Sequence, residues 1–269
     1  MPELPEMETY KTLLSEKIIG KPIINITINR EKSLNIAGDK FNQYVLNKRI
    51  TSIERRGKYL VFQLDSGYCL LLHLMLGGWM YLGTDEDNPD RTKQIILSFG
   101  DINLYFIGLR LGFLHFLSKA DVEQELATLG PNPLDKNFLL DNFLAIIDRK
   151  RGLLKTTLPN QHVLSGIGNC YTDEICCEAK LSPKRKFDEL SSKEKENLFD
   201  GIKLVLTEAI KEGGYMEHLL FKEDSLTGGY NEKCKVYDRE GEKCYRCGSF
   251  IIKEMISKRK TFYCGECQK

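Results

Sequence analysis

Long apolar runs are missing from this chain. Nowhere in its 269 residues do about 18–20 consecutive apolar residues occur, so no membrane-spanning helix is expected. The N-terminal Met1-Pro2-Glu3-Leu4-Pro5-Glu6 lacks the basic region and apolar core of a secretory signal, which predicts a protein that stays in the cytoplasm. An excess of charge is missing too: 39 Lys+Arg stand against 38 Asp+Glu, a formal charge of +1. A uniformly basic nucleic-acid coat is thereby excluded, although local basic patches are not. There is one tryptophan, and there is neither an internal repeat nor a low-complexity tract. With 42% hydrophobic and 29% charged residues the composition is that of a globular chain, so disorder is excluded as the main state.

Two patterns divide what is present. Up to about residue 125, alternating or dense apolar runs at Ile23–Ile28, Tyr59–Leu64, Cys69–Leu74, Ile95–Phe99 and Leu104–Phe106 read as strands. One helix is expected before them, through Thr9–Ile18 and stopped by Gly20-Lys21-Pro22. After Gly130-Pro131-Asn132-Pro133 the period becomes helical, at Asn137–Asp148, Tyr171–Ala179 and Ser191–Ile210, with a shorter piece around Leu153. The segment Gly213–Tyr230 reads as a loop. The expected class is α+β, with domains at 1–130, 131–230 and 231–269.

Nine cysteines with no export signal argue against a disulfide framework. Cys69, Cys170, Cys176, Cys177 and Cys234 are scattered and read as small buried apolar residues. Cys244-x2-Cys247 and Cys264-x2-Cys267, with sixteen residues between the pairs, have the spacing of a four-thiolate zinc site. A redox dithiol is the alternative, and it needs only one such pair.

Three further stretches carry chemistry. Pro2 becomes a secondary amine if Met1 is removed; an α-amino group titrates at roughly 7.7–8.0, so its neutral form can attack an aldehyde carbon, with Glu3 supplying a proton. A proline at this position is otherwise unremarkable. Gly166-Ile167-Gly168, ahead of a helical pattern, offers either backbone N–H groups to a phosphate or a simple packing turn. Lys258-Arg259-Lys260, between the cysteine pairs and about midway along an expected β-hairpin that ends in Thr261-Phe262-Tyr263, is either a phosphate-reaching hairpin tip or a solvated charge run.

Together these features resemble the formamidopyrimidine-DNA glycosylase and endonuclease VIII family, in its formamidopyrimidine branch. Pro2-Glu3-Leu4-Pro5-Glu6 is similar to that branch's N-terminal signature, Arg56-Gly57-Lys58-Tyr59-Leu60 to the family's lysine turn, Gln161–Glu174 to its helix-two-turn-helix, and Cys244–Cys267 to its zinc finger. The resemblance implies an N-terminal β-sandwich with one helix, a helical helix-two-turn-helix domain, and a zinc-finger β-hairpin holding one structural zinc ion on Cys244, Cys247, Cys264 and Cys267. It implies a bifunctional glycosylase and abasic-site lyase, monomeric, acting on oxidised or ring-opened bases or abasic sites in double-stranded DNA, nucleoid-associated when bound and with no membrane. Pro2 would be the nucleophile at the sugar C1′, Glu3 the proton shuttle and Glu6 its support. Lys58, His73 and Asn169 would hold phosphates, as would Arg259 at the hairpin tip, with Lys155 on the DNA backbone.

The resemblance breaks at the residues that fill the gap left by a flipped base. Where the branch has Met, Arg and Phe, this chain has Leu76, Leu109 and Leu111, with Arg110 one position out of register; Gly77 replaces a frequent acidic residue. Leucine still serves as an apolar wedge between bases. The rival expectation is a damage-binding protein of the same fold with little or no catalysis.

Overall fold

The computed structural model describes all residues, 1–269, and separates into two compact units: residues 1–128 with 216–229, and residues 129–215 with 230–269.

In the first unit, Leu4–Ile18 form α1. Pro5 in its first turn has the fixed φ a helix start tolerates, and Met7, Tyr10, Leu14 and Ile18 recur at three- and four-residue steps on one buried face. The strands are β1 (Asn25–Ile28), β2 (Ile50–Arg56), β3 (Tyr59–Leu64), β4 (Tyr68–His73), β5 (Trp79–Gly83), β6 (Lys93–Ser98), β7 (Asn103–Ile107) and β8 (Phe113–Ser118). They pair antiparallel in two four-stranded sheets, ordered β1-β6-β7-β5 and β2-β3-β4-β8. One apolar core takes Phe62, Leu70, Leu72 and Leu114 from one sheet and Met80, Ile95, Leu104 and Phe106 from the other, with the buried face of α1. This is the expected sandwich.

The expectation of a single helix here is corrected: α2 (Gly38–Val45) and α3 (Lys119–Leu126) are also present. Each is two turns long and hides only one apolar pair at i, i+4, Phe41 with Val45 and Val122 with Leu126. Two apolar positions are too few to register as a helical period. The Gly213–Tyr230 segment also differs from the expected domain limits, because residues 216–229 pack with the first unit. Leu220 lies in the core of that unit, and its carbonyl accepts the Leu82 N–H at 2.6 Å.

The second unit carries α4 (Leu140–Ile147), α5 (Leu154–Thr157), α6 (Asn169–Glu178), α7 (Ser192–Lys211), and a hairpin of β9 (Ile251–Ile256) with β10 (Arg259–Cys264). Helix α7 starts where Ser191-x-x-Glu194 closes a capping box, the Ser191 N–H donating to Glu194 Oε2 at 2.8 Å. Helix α6 is buried on every side from Cys170 to Cys177, which makes it the centre of this unit. No helix is long and apolar enough to cross a membrane.

Candidate active site and nucleic-acid interface

The N-terminus of α1 organises the first group. Glu3 is the N-cap in extended conformation, and its N–H donates to Glu6 Oε2 at 2.8 Å, so Glu6 pins the peptide that follows Pro2. Pro2, Glu3 and Glu6 are all buried. The three residues expected to act at the sugar thus share one helix start, with Glu6 bonded to the backbone of Glu3.

Lys58 follows the positive-φ Gly57 (φ +57°) in the tight turn between β2 and β3, where Arg56 and Tyr59 are paired. Its side chain is buried. His73 ends β4 opposite Tyr59, whose ring meets the imidazole edge-on at 4.4 Å. Burial, with the Lys58 charge adding to it, pushes the His73 pKa down to about 4. Its Nδ1 accepts the Met75 N–H at 3.0 Å, so the neutral ring carries its proton on Nε2.

The three leucines do not form one set. Leu76 and Leu111 are 68% and 64% exposed, whereas Leu109 is 0% exposed and belongs to the core. Its backbone is clamped on both sides: Leu109 N–H donates to Gln94 Oε1 at 3.0 Å, and Ser33 Oγ donates to the Leu109 carbonyl at 3.1 Å. Leu109 as a void-filling residue is therefore corrected, since an apolar side chain in register with the core gains more from burial than from solvent. Arg110, beside it, is exposed. The loops that carry Leu76 and Leu111 lie so close that a Cβ on Gly108 would stand 2.1 Å from the Gly77 carbonyl, which leaves room for glycine alone. A cavity of about 580 Å³ opens beside them, bordered by Leu76, Trp79, Arg91, Arg110, Leu111 and His218, with the Trp79 and His218 rings stacked at 4.5 Å. Sequence reasoning missed Trp79 and His218; the lone tryptophan, directly after Gly77-Gly78, was the available signal.

The segment read as a loop is tightly built around Asp224. Its carboxylate accepts N–H groups from Leu220, Leu226 and Thr227 at 2.8–3.0 Å. Burial works against the charge, but bonds from Thr227, Leu220 and Leu226 hold its pKa below the ordinary aspartate value.

In the second unit, Asn169 opens α6 after Gly168, and its Nδ2 donates to the Lys260 carbonyl at 2.9 Å. Arg259 is exposed at the first position of β10. The hairpin tip itself is Ser257-Lys258, both at positive φ, so the expectation that Arg259 forms the tip is corrected by one residue. Lys155 differs more. It is 0% exposed, pairs with Asp173 Oδ1 at 2.5 Å and donates to the Asn169 carbonyl at 3.2 Å. The expectation that Lys155 contacts DNA is therefore corrected: its ammonium is spent inside the unit.

Cys244, Cys247, Cys264 and Cys267 close a four-sulfur cluster, all sulfurs lying within 4.8 Å of one another. The Cys244–Cys267 and Cys247–Cys264 separations are 3.9 and 3.5 Å. A tetrahedral ion with Zn–S bonds of about 2.3 Å needs sulfurs roughly 3.8 Å apart, so the donor set fits one structural zinc ion. Gln268 braces the second knuckle, accepting the Cys264 N–H at 2.8 Å and donating to the Leu181 carbonyl at 3.0 Å. The five other cysteines are buried apolar fillers, as expected.

Three family models match in chain order: the formamidopyrimidine-DNA glycosylase N-terminal domain over residues 1–113, the formamidopyrimidine-DNA glycosylase H2TH domain over 129–219, and the zinc finger found in FPG and IleRS over 241–269. The chain belongs to the formamidopyrimidine-DNA glycosylase family. Among its relatives, the formamidopyrimidine-DNA glycosylase of Carboxydothermus hydrogenoformans is 34% identical over 271 residues and that of Listeria innocua 34% over 275, each match covering 100% of both chains. Among solved structures, the Lactococcus lactis enzyme in complex with abasic-site DNA is 30% identical and superimposes with a TM-score of 0.92 over 99% of each chain. The same enzyme on DNA containing an oxidised pyrimidine gives 0.91 at 30% identity over 100% of each chain. The likeness to formamidopyrimidine-DNA glycosylases thus runs the full length, through the helix start at Pro2-Glu3 and the four cysteines.

Proposed function

We propose that this chain is a base-excision DNA glycosylase with abasic-site lyase activity, acting on damaged bases and abasic sites in double-stranded DNA. The observation that carries the reading is the full-length family likeness together with the buried Pro2-Glu3 cap held by Glu6.

Removal of Met1 frees the Pro2 amine. Its lone pair attacks C1′ of the damaged nucleotide, the bond to the base breaks, and the electron pair leaves with the base. The Pro2 nitrogen sheds its proton, Glu3 donates a proton to the ring oxygen as the sugar opens, and an iminium ion is left between Pro2 and C1′. Loss of a C2′ proton then expels the 3′ phosphate, and a second elimination expels the 5′ phosphate. Glu6 contributes by fixing the Glu3 peptide.

Lys58 and His73 hold phosphates beside the reacting sugar, Lys58 as a cation and His73 as a neutral donor through Nε2. Asn169 and Arg259 serve the DNA backbone from the second unit. Leu76 and Leu111 occupy the space of the extruded base, which has to leave the stack before its bond is reachable. A structural zinc ion supplies the cross-link that shapes the Arg259 hairpin. The protein works in the cytoplasm as a monomer, on the nucleoid when bound.

The decisive experiment is borohydride trapping on a duplex with one abasic site, with mass spectrometry of the N-terminus. An adduct on Pro2 is expected; a protein lacking Met1 that forms none is a damage binder without catalysis.

A further inference from the structure

Two adjacent carboxylates on α6, Asp173 and Glu174, have no exposed surface, and each holds the backbone of a distant segment. Glu174 accepts the N–H groups of Lys235, Val236 and Tyr237 at 2.8–2.9 Å. Asp173 turns the other way: Oδ2 accepts the Phe262 N–H at 3.0 Å while Oδ1 meets Lys155. Lys155 closes the circuit on the carbonyl of Asn169, whose side chain reaches the Lys260 carbonyl. Strand β10 is therefore gripped from α6 at two alternate positions, Lys260 and Phe262, immediately after Arg259.

An isolated two-stranded hairpin is marginally stable, so its direction is set by what holds it. The four-cysteine cluster ties the base of β9–β10, and the Asp173 grip ties β10 further along. A buried carboxylate is expensive unless paired and hydrogen-bonded, and here Lys155 and Phe262 do both. Both residues are thus accounted for without contact to any ligand.

We propose that Asp173 is a positioning residue for DNA binding: through the Phe262 N–H it fixes β10 so that Arg259 and Asn169 meet the DNA as one preformed surface, while Lys155 acts by balancing the Asp173 charge. This rests on the reading of Arg259 and Asn169 as DNA contacts. Without the grip, ordering the hairpin becomes part of the cost of binding.

The test compares two full-length, zinc-loaded variants, K155M/D173N and K155M/D173A. Neither buries a charge at the pair; they differ in whether position 173 still offers Phe262 N–H an oxygen. Affinity for a duplex carrying a tetrahydrofuran abasic-site analogue is measured over a salt series, with and without R259A, and zinc is quantified in every sample. The asparagine variant is expected to bind within about twofold of the unsubstituted chain and to lose about tenfold on adding R259A, with the salt slope falling by about 0.9, as for one lost phosphate contact. The alanine variant is expected to bind about tenfold more weakly, to lose little more on adding R259A, and to keep one zinc per chain. Equal affinity of the two variants, or an equal R259A loss in both, overturns the inference. So does loss of zinc from both, which makes the pair a folding element only. No salt-dependent binding by the unsubstituted chain overturns the DNA reading itself, a result distinct from the others.

Discussion

The Met75 N–H donates to His73 Nδ1 at 3.0 Å, so one bond holds Met75 in its left-handed conformation (φ +51°) and settles the imidazole tautomer. Leu76, exposed to solvent, is the next residue. The histidine and the exposed Leu76 loop are accordingly one mechanical piece.

His73 is expected to stay neutral across pH 5–8. Its folded pKa of about 4 lies below the ordinary 6.5, so protons bind the unfolded chain first. The stability that the neutral form contributes is complete above pH 6.5 and declines as pH falls toward 4, by up to about 3 kcal/mol for a shift of this size. NMR titration of the His73 ring checks the midpoint, and H73Q should flatten the pH dependence of unfolding in that window. A native midpoint near 6.5 would sink the idea.

Leu109→Ala and Leu111→Ala should part company. The first removes a core side chain and should cost about 3 kcal/mol of stability with little direct effect on the chemistry. The second should leave the melting temperature nearly unchanged, yet slow excision of bases from intact pairs about tenfold while sparing cleavage at ready-made abasic sites. Denaturant melts and single-turnover assays on both substrates separate the two; matching profiles would mean that Leu109 also enters the DNA.

Glu3→Gln keeps the cap, since the Glu6 carboxylate bonds to the residue-3 N–H and a glutamine oxygen can still accept the Glu6 N–H as the Glu3 side chain does. Affinity for an uncleaved lesion duplex should stay within about threefold, while base excision falls by 10²-fold or more, the usual worth of a positioned proton donor. Undiminished excision removes Glu3 from the mechanism.

Cys244→Ser, or chelation, should release the zinc and weaken DNA binding by about tenfold or more, through loss of the hairpin that carries Arg259. Metal analysis and anisotropy on the same sample check it. Unchanged affinity would mean that the finger contributes nothing to the interface.

Much of this was legible in the sequence, and what was not has physical reasons. The zinc ligands were readable because four thiolates around a small ion force a fixed spacing. The strands of the first unit were readable from their alternating or dense apolar runs and α7 from its helical period, whereas their closing into a sandwich was implied by the family resemblance. Lys155 was misread because the resemblance carries over a residue type and not its partner, and Asp173, which takes up its charge, lies eighteen residues on. Leu109 was misread because alignment fixes a position along the chain and not the direction of a side chain. Gln94 and Ser33, which clamp it, are far away in sequence. Helices α2 and α3 escaped because two turns show too little of a period.

Residues 216–229 give the chain an unusual order of completion. A ribosome releases the first 128 residues long before it makes Leu220, yet Leu220 is interior to the sandwich and gives its carbonyl to Leu82. The sandwich therefore waits, with one interior place unfilled, through the synthesis of most of the helical unit. A fragment cut at residue 128 lacks its own last core residue, so the two units are not separable by any single cut.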